Sequence, residues 1–326
     1  MKKKIALVVN AVISLVLIGV ILSYAGVDDF IKNLESIDLG YLLLAVVFLL
    51  FTDLLMIERI KIILYDMGEK LGYFKILWAH FIGMLLADFT PARTGYFATA
   101  GVLHYRHKIP SEKAMVSVFG PQIYDFALKV VAGSIAIIYL LMKFIEPEEG
   151  WIIILGSVIV AGITLLMILL LFSEKFLKVF SFSKSLPLVG SVYELFGRMQ
   201  KNSHFIMKRT KELVLIVLIA WVTKAVSWYF VAKSVGITLD TEFPEIFFYF
   251  FLQPLVTMLE FLPTPTIAGL GLSEGGSVLV FSLFGIDAGT ALVFGLLARF
   301  KTTVVHLPAV PESVRAFRFV KNRNNT

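Results

Sequence analysis

Asp88-Phe89-Thr90-Pro91-Ala92-Arg93-Thr94-Gly95 is a polar, helix-breaking stretch set within some of the most apolar sequence of the chain. About half a chain length later stands a second, Glu260-Phe261-Leu262-Pro263-Thr264-Pro265-Thr266-Ile267-Ala268-Gly269. Both run acid, Phe, one free position, Pro, then Thr and Gly. Pro91, Pro263 and Pro265 carry no N–H and interrupt helices. Broken hydrophobic segments at matching places in two halves are the sequence mark of a translocation site in a membrane transporter.

The surroundings agree. The chain has 326 residues, of which 58% are hydrophobic and 17% charged, with a mean hydropathy of +0.85. Apolar stretches of about 17–25 residues recur, the length that crosses a bilayer core. The fold class expected is an all-α polytopic membrane protein. Full spans read as 5–24, 40–60, 113–142, 151–172, 213–235 and 289–310, with two broken hairpins, 74–105 and 246–284, between them. The arms of the first hairpin are short enough to be re-entrant; those of the second are longer and admit two true spans. The start, Met1-Lys2-Lys3-Lys4 before an apolar run, resembles a signal peptide. That run exceeds the roughly 7–15 residues of a signal core, so it reads as a retained span.

A net charge of +6 could point to nucleic acid. Its distribution does not, because the bases gather at helix ends, where they orient spans. One face collects Lys2, Lys3, Lys4, Arg59, Lys61, Lys70, Lys75, Arg106, Lys108, Lys113 and the bases of 173–212 and of the tail. The other is acidic, from Asp28 and Asp29 to Asp287. The positive-inside rule then puts the protein in the cell membrane with both termini cytoplasmic. The first hairpin enters from the cytoplasm and the second from outside. A single membrane domain, 1–326, thus divides into a first repeat over 1–145 and an inverted second repeat over 146–326. Residues 173–212 form the one long loop, basic and cytoplasmic. The spacing of Leu188, Val192, Leu195, Phe196 and Met199 suits a helix on the lipid surface or a short helix in a linker. Phe30, Ile31, Leu34 and Ile37 repeat the pattern outside.

Charged groups inside spans are costly and mark pathways or paired contacts. They are Asp53, Asp88, Arg93, Asp125, Lys129, Lys224, Glu260, Glu274 and Arg299. Arg93 offers a fork that matches phosphate oxygens, or pairs with Asp88 across the break. Asp125 and Lys129 stand one turn apart and read as an intrahelical ion pair in preference to a proton relay. Lys224 and Arg299 are the unpaired bases of the second half; they neutralise Asp53, Glu260 or Glu274, or they hold a lipid phosphate. Helix starts near Thr94 and Ser273 suit an anion. Gly95, Gly269 and Gly271 permit tight turns and close packing. Gly269-Leu270-Gly271-Leu272-Ser273-Glu274 lacks the spacing and the strand of a dinucleotide loop. His80, His104, His107, His204 and His306 are scattered, and no metal or other cofactor is expected. Cysteine is absent, so there is no thiol chemistry.

The order of these motifs resembles the flippase-like membrane domain of lysylphosphatidylglycerol synthetases and its stand-alone bacterial and archaeal relatives. Thr90-Pro91-Ala92-Arg93-Thr94-Gly95 matches the family's T-P-x-R-x-G element, and Gly269 to Glu274 its G-x-G-x-x-E. Arg59-Ile60-Lys61 is similar to its Arg-rich segment, Tyr124-Asp125-Phe126 to its Asp segment, and Arg299 to its late Arg. Two departures are Tyr96, where relatives often carry Glu, and Pro121-Gln122-Ile123, where an Arg often stands. The resemblance implies translocation of a lipid headgroup, without lysyl transfer, since no soluble transferase domain is seen. The expected partners are the bilayer and the headgroup of an anionic or aminoacylated phospholipid or a polyprenyl-phosphate-linked sugar. Nucleic acid is not expected; a homo-oligomer is left open. In that reading Arg93 and Arg299 hold phosphate, while Asp88, Asp125, Glu260 and Glu274 shape the cavity. Two rivals stay open: a membrane subunit of a glycosyl- or aminoacyl-lipid synthase, against which the missing catalytic motif speaks, and a secondary transporter of a small solute.

Overall fold

In a computed structural model of the chain the described residues are 2–144, 158, 162, 165, 169, 173–179, 181, 189–260 and 264–315. They fold into helices, and no strand occurs among them. Helix α1 (Lys2–Ala25) ends at Gly26, and α2 (Val27–Glu35) leaves at 91° to it. Phe30 and Ile37 pack inward, while Ile31 and Leu34 stay exposed. Asp38 then caps α3 (Leu39–Asp66) by accepting from the N–H groups of Gly40 and Tyr41 at 2.8 and 3.2 Å.

α3 lies along α10 (Thr210–Ser234). Apolar surface alone gives two helices little reason to associate in lipid, so small and polar contacts matter. Ser227 donates to the Ala45 carbonyl at 2.7 Å, and the Thr52 and Thr223 hydroxyls meet at 2.7 Å.

The first hairpin is α4 (Tyr73–Ala87), a 3-10 turn (Pro91–Tyr96) and α5 (Phe97–His107). α6 (Ser111–Phe119) and α7 (Gln122–Phe144) follow, joined through Gly120-Pro121. α8 (Glu174–Val179) and α9 (Val189–Lys208) precede α10. The second hairpin is α11 (Ile246–Leu259) and α12 (Leu272–Leu283). α13 (Ala288–His306) is capped by Asp287, which accepts from Thr290 N–H at 2.8 Å, and its helix continues to Arg315.

Among the described residues four helices are long and apolar enough to cross a membrane: Leu39–Asp66, Ser111–Phe144, Thr210–Ser234 and Ala288–Arg315. The bent pair α1–α2 makes a fifth if it is one span. These cover five of the six expected spans; 151–172 lies largely outside the described residues.

One expectation changes. The arms of the second hairpin, 14 and 12 residues, together match those of the first, 15 and 11, rather than exceeding them. At 1.5 Å per residue they rise only about 20 Å, short of a ~30 Å core. The cause is a wide turn, in which Ala268, Gly269 and Gly271 take φ of 47°, 73° and 91°. Within 173–212, expected as a basic loop with a helix on the lipid surface or in a linker, the described residues include α8 and α9. α9 is 20 residues long, and its Met199 and Ile206 are buried with the core, with Ile206 against Gly120 of the α6–α7 joint. Packing on protein explains that helix better than adsorption to lipid.

Gly95 is the tightest point of the first hairpin. A Cβ there would run into the carbonyl of Leu86 and the N of Ala87. Gly101, by contrast, has open space around it. Gly95→Ala should therefore lose about 1–3 kcal/mol to overpacking. Gly101→Ala should hold or gain up to about 1 kcal/mol from helix propensity. Thermal melts of both variants in detergent check the contrast.

Candidate functional site

Each break presents an acid at the end of one helix and a tight turn into the next. In the first, Asp88 ends α4. Thr90 closes the tip: its hydroxyl donates to the Leu86 carbonyl at 3.0 Å and accepts from Gly95 N–H at 2.6 Å. Pro91 starts the 3-10 turn, a position where a missing N–H costs nothing. This turn runs directly into α5, so no separate helix start exists at Thr94. Arg93 has φ 54°, a left-handed backbone rare for a side chain with Cβ. That conformation aims its guanidinium at two carboxylates, Asp88 at 2.8 Å and Glu260 of the second break.

Glu260 ends α11 as Asp88 ends α4. A Cβ on Gly269 would lie 2.7 Å from Glu260 Cα, so the chain folds back tightly on it. Glu274, in the first turn of α12, accepts from Gly271 N–H at 2.7 Å and from the Ser273 hydroxyl at 3.1 Å. Arg299 of α13 locks this turn. Its Nε donates to Glu274 at 2.7 Å, its Nη2 to Ser273 at 2.6 Å and its Nη1 to the Ala268 carbonyl at 3.2 Å. Arg299 also stands 4.0 Å from Glu260. Asp88, Arg93, Glu260, Arg299 and Glu274 thus form one ladder of alternating charge across both breaks.

Two further clusters complete the site. Asp125 of α7 accepts from Lys224 of α10 at 2.9 Å and lies 3.4 Å from Lys129. Asp53 of α3 meets His80 of α4 at 3.3 Å and His306 of α13 at 3.1 Å. Among the described residues two bases of the site make no salt bridge. There Lys301 donates only to the Ser227 hydroxyl. Arg59 is 1% exposed and reaches the Tyr96 hydroxyl, but its Nε and Nη1 have no hydrogen-bond partner among the described residues. Asp125, already engaged by two lysines, acts on it through space.

The charged groups of the ladder and of both clusters, with His80 but not His306, line one cavity of about 170 Å³. At the ~10–15 Å³ each water needs, it has room for on the order of ten. Its wall carries six cations (Arg59, Arg93, Lys129, Lys224, Arg299, Lys301) against five carboxylates (Asp53, Asp88, Asp125, Glu260, Glu274). Arg59 and Lys301, outside the ion pairs, offer N–H donors to an anion.

Every charged side chain singled out in the sequence reaches this wall. Pro265 sits exposed on the turn, and Pro263 lies outside the described residues. Lys224 and Arg299, read as unpaired, are paired, because Asp125 and Glu274 lie on helices packed against theirs. Asp53, offered to them as a partner, is held by histidines instead. Arg59, read as part of a cytoplasmic basic end, is buried. Its signal was periodicity: Thr52, Met56 and Arg59 fall on one helix face and share the cavity. Lys301 has a similar signal one turn after Ala298. The scattered histidines prove to include a joined pair. No group of side chains suited to a metal ion occurs among the described residues.

Comparison with known proteins covers the same ground. Residues 7–309 match the model for the lysylphosphatidylglycerol synthase TM region. A UPF0104 membrane protein of Pyrococcus horikoshii is 24% identical over 317 residues, which span 88% of this chain and 90% of that protein. Both breaks and the whole cavity wall lie within the matched residues. The chain is therefore a multi-pass membrane protein that belongs to the lysylphosphatidylglycerol synthase TM region family.

Proposed function

We propose that this chain is a lipid translocase. It moves a phosphate-bearing headgroup between leaflets, that of an anionic or aminoacylated phospholipid or of a polyprenyl-phosphate-linked sugar. The observation that carries the reading is the pair of buried cations, Arg59 and Lys301, facing the cavity without carboxylate partners. A buried charge left unpaired is costly, and an arriving anion removes that cost. Phosphate supplies several acceptor oxygens, and a guanidinium with free N–H groups meets them directly. The headgroup crosses through the cavity while its tails stay in lipid.

In this reading Arg93 and Arg299 hold the breaks in shape, and Arg59 and Lys301 meet the phosphate. The protein sits in the cell membrane with both termini cytoplasmic. The halves 1–145 and 146–326 are inverted repeats whose broken hairpins enter from opposite sides.

Three outcomes follow. In liposomes carrying a fluorescent phosphatidylglycerol, Arg59→Gln and Lys301→Met should each slow translocation at least tenfold, a loss of about 1.4 kcal/mol or more, while the melting temperature stays near that of the parent. Parental rates in both variants would sink the reading, whereas uptake of a water-soluble solute by lipid-free transport would favour a solute carrier. Arg93→Ala should behave differently. It strands Asp88 and Glu260, and removing one partner of a buried ion pair costs about 3–5 kcal/mol. Its main effect is a lowered melting temperature, with lost transport as a consequence. For orientation, the cysteine-free chain allows single labels. Ser36→Cys should react with an impermeant maleimide on intact cells, and Lys201→Cys only after permeabilisation.

A further inference from the structure

The Asp53–His80–His306 cluster belongs to no ion ladder and has a chemistry of its own. A carboxylate only accepts hydrogen bonds. His80 Nε2 lies 3.3 Å from one Asp53 oxygen and His306 Nε2 lies 3.1 Å from the other. Both Nε2 atoms therefore carry hydrogen. In the neutral rings both Nδ1 atoms are then bare acceptors. The Tyr96 hydroxyl, 3.5 Å from His80 Nδ1, donates to it. His306 Nδ1 has no hydrogen-bond partner among the described residues. The cluster at rest thus bears one negative charge and two nitrogens able to take a proton.

We propose that Asp53, His80 and His306 form a proton-binding site, holding one exchangeable proton whose arrival re-orients the Tyr96 hydroxyl in the first break. A proton on His80 turns Nδ1 from acceptor to donor. Tyr96 must then swing its hydrogen away from His80 and accept instead. Arg59 shares that hydroxyl, so the event reaches the cation proposed to hold phosphate. Imidazole is the side chain suited to such exchange near neutral pH.

The groups facing the cluster decide when the proton binds. They are Arg59 on α3, Tyr73 and Asp88 at the two ends of α4, Arg93 and Tyr96 in the first break, and Lys301 on α13. α7 and α10 add Asp125 and Lys224 to the same wall. Among these the cations outnumber the carboxylates, so an empty cavity disfavours the extra proton. A bound anion reverses that balance. By linkage, the proton must then favour the anion by the same factor. The proton site stands by itself, whereas this coupling rests on the anion reading above.

The two are separated by histidine-selective ¹⁵N NMR of the protein in nanodiscs, titrated from pH 5 to 8. In phosphatidylcholine alone, the signals lost in His80→Gln and in His306→Gln should move together in a single step. Asp53→Asn should abolish that joint step. Tyr96→Phe, which removes only the hydroxyl at Nδ1, should keep the step and displace its midpoint, a check that survives if Asp53→Asn does not fold. Rings that titrate independently, or that stay neutral throughout, would overturn the proton site. Adding phosphatidylglycerol should raise the proton affinity by about fivefold, within the usual range of such couplings. A joint step indifferent to phosphatidylglycerol would overturn the coupling.

Discussion

At membrane depth a polar group finds its partner within the protein or not at all. This constraint governs the molecule. Each break frees backbone groups that a continuous helix would have paired, and side chains of the break itself or of other helices take them up. Thr90 serves Leu86 and Gly95 within the first tip. In the second, Ser14 of α1 accepts from Ile267 N–H at 2.8 Å, Glu274 from Gly271 N–H, and Arg299 donates to Ala268. α1 is thereby tied to the second break, and the absence of a Cβ at Gly271 lets it approach Leu17. The breaks hold their shape because several helices supply their missing partners.

Of the three non-glycine residues with left-handed φ among the described residues, Lys108 ends α5 and the other two stand where the charge ladder attaches. Arg93 and Ala268 are non-glycine residues with left-handed φ, at about 1–2 kcal/mol each. The first presents its guanidinium to both Asp88 and Glu260. The second turns its carbonyl to Arg299. Straightening either residue would strand buried charges, which costs more than the strain, so the bent conformations persist. The same comparison explains why two acids end the two incoming helices: both meet the single guanidinium of Arg93.

The fold was legible in the sequence where length and proline speak. A run of apolar residues long enough to cross a bilayer has few other uses, and Pro91 had to end α4. Intramembrane charge was also legible, because the cost of burying Asp53, Asp125 or Glu274 leaves them only an interior face. Partnership was not legible. His80 and His306 sit on helices far apart in the chain, and nothing local in either says that Asp53 lies between them. Arg59 was misread because Arg59-Ile60-Lys61 near a helix end is what a snorkelling basic end looks like. The two side chains diverge: Lys61 pairs with Glu58 at the surface, while Arg59 turns inward. Arm lengths in the second hairpin were overestimated because its turn is built largely of apolar residues, Ile267 to Leu272, which composition cannot tell from helix.

The arginines that stand out in the motifs are the ones least free to act on a ligand. Arg93 and Arg299 each hold two or more acceptors at short range, and drawing either towards a phosphate would expose the carboxylates it leaves. Such a group gains little, since each new contact replaces an old one. Arg59 and Lys301 begin from the opposite state. They are buried and make no salt bridge among the described residues, with Asp125 acting on Arg59 only through space, so in the proposed reading an incoming anion displaces little more than their contacts with the Tyr96 and Ser227 hydroxyls. Motif arginines as scaffold and unremarked cations as ligands is the division of labour that burial and pairing favour here. It also fits the needs of a carrier, whose cargo must leave as readily as it arrives. In the proposed translocase a phosphate met by these two bases, with carboxylates in the same wall, is bound by few enough contacts to be released.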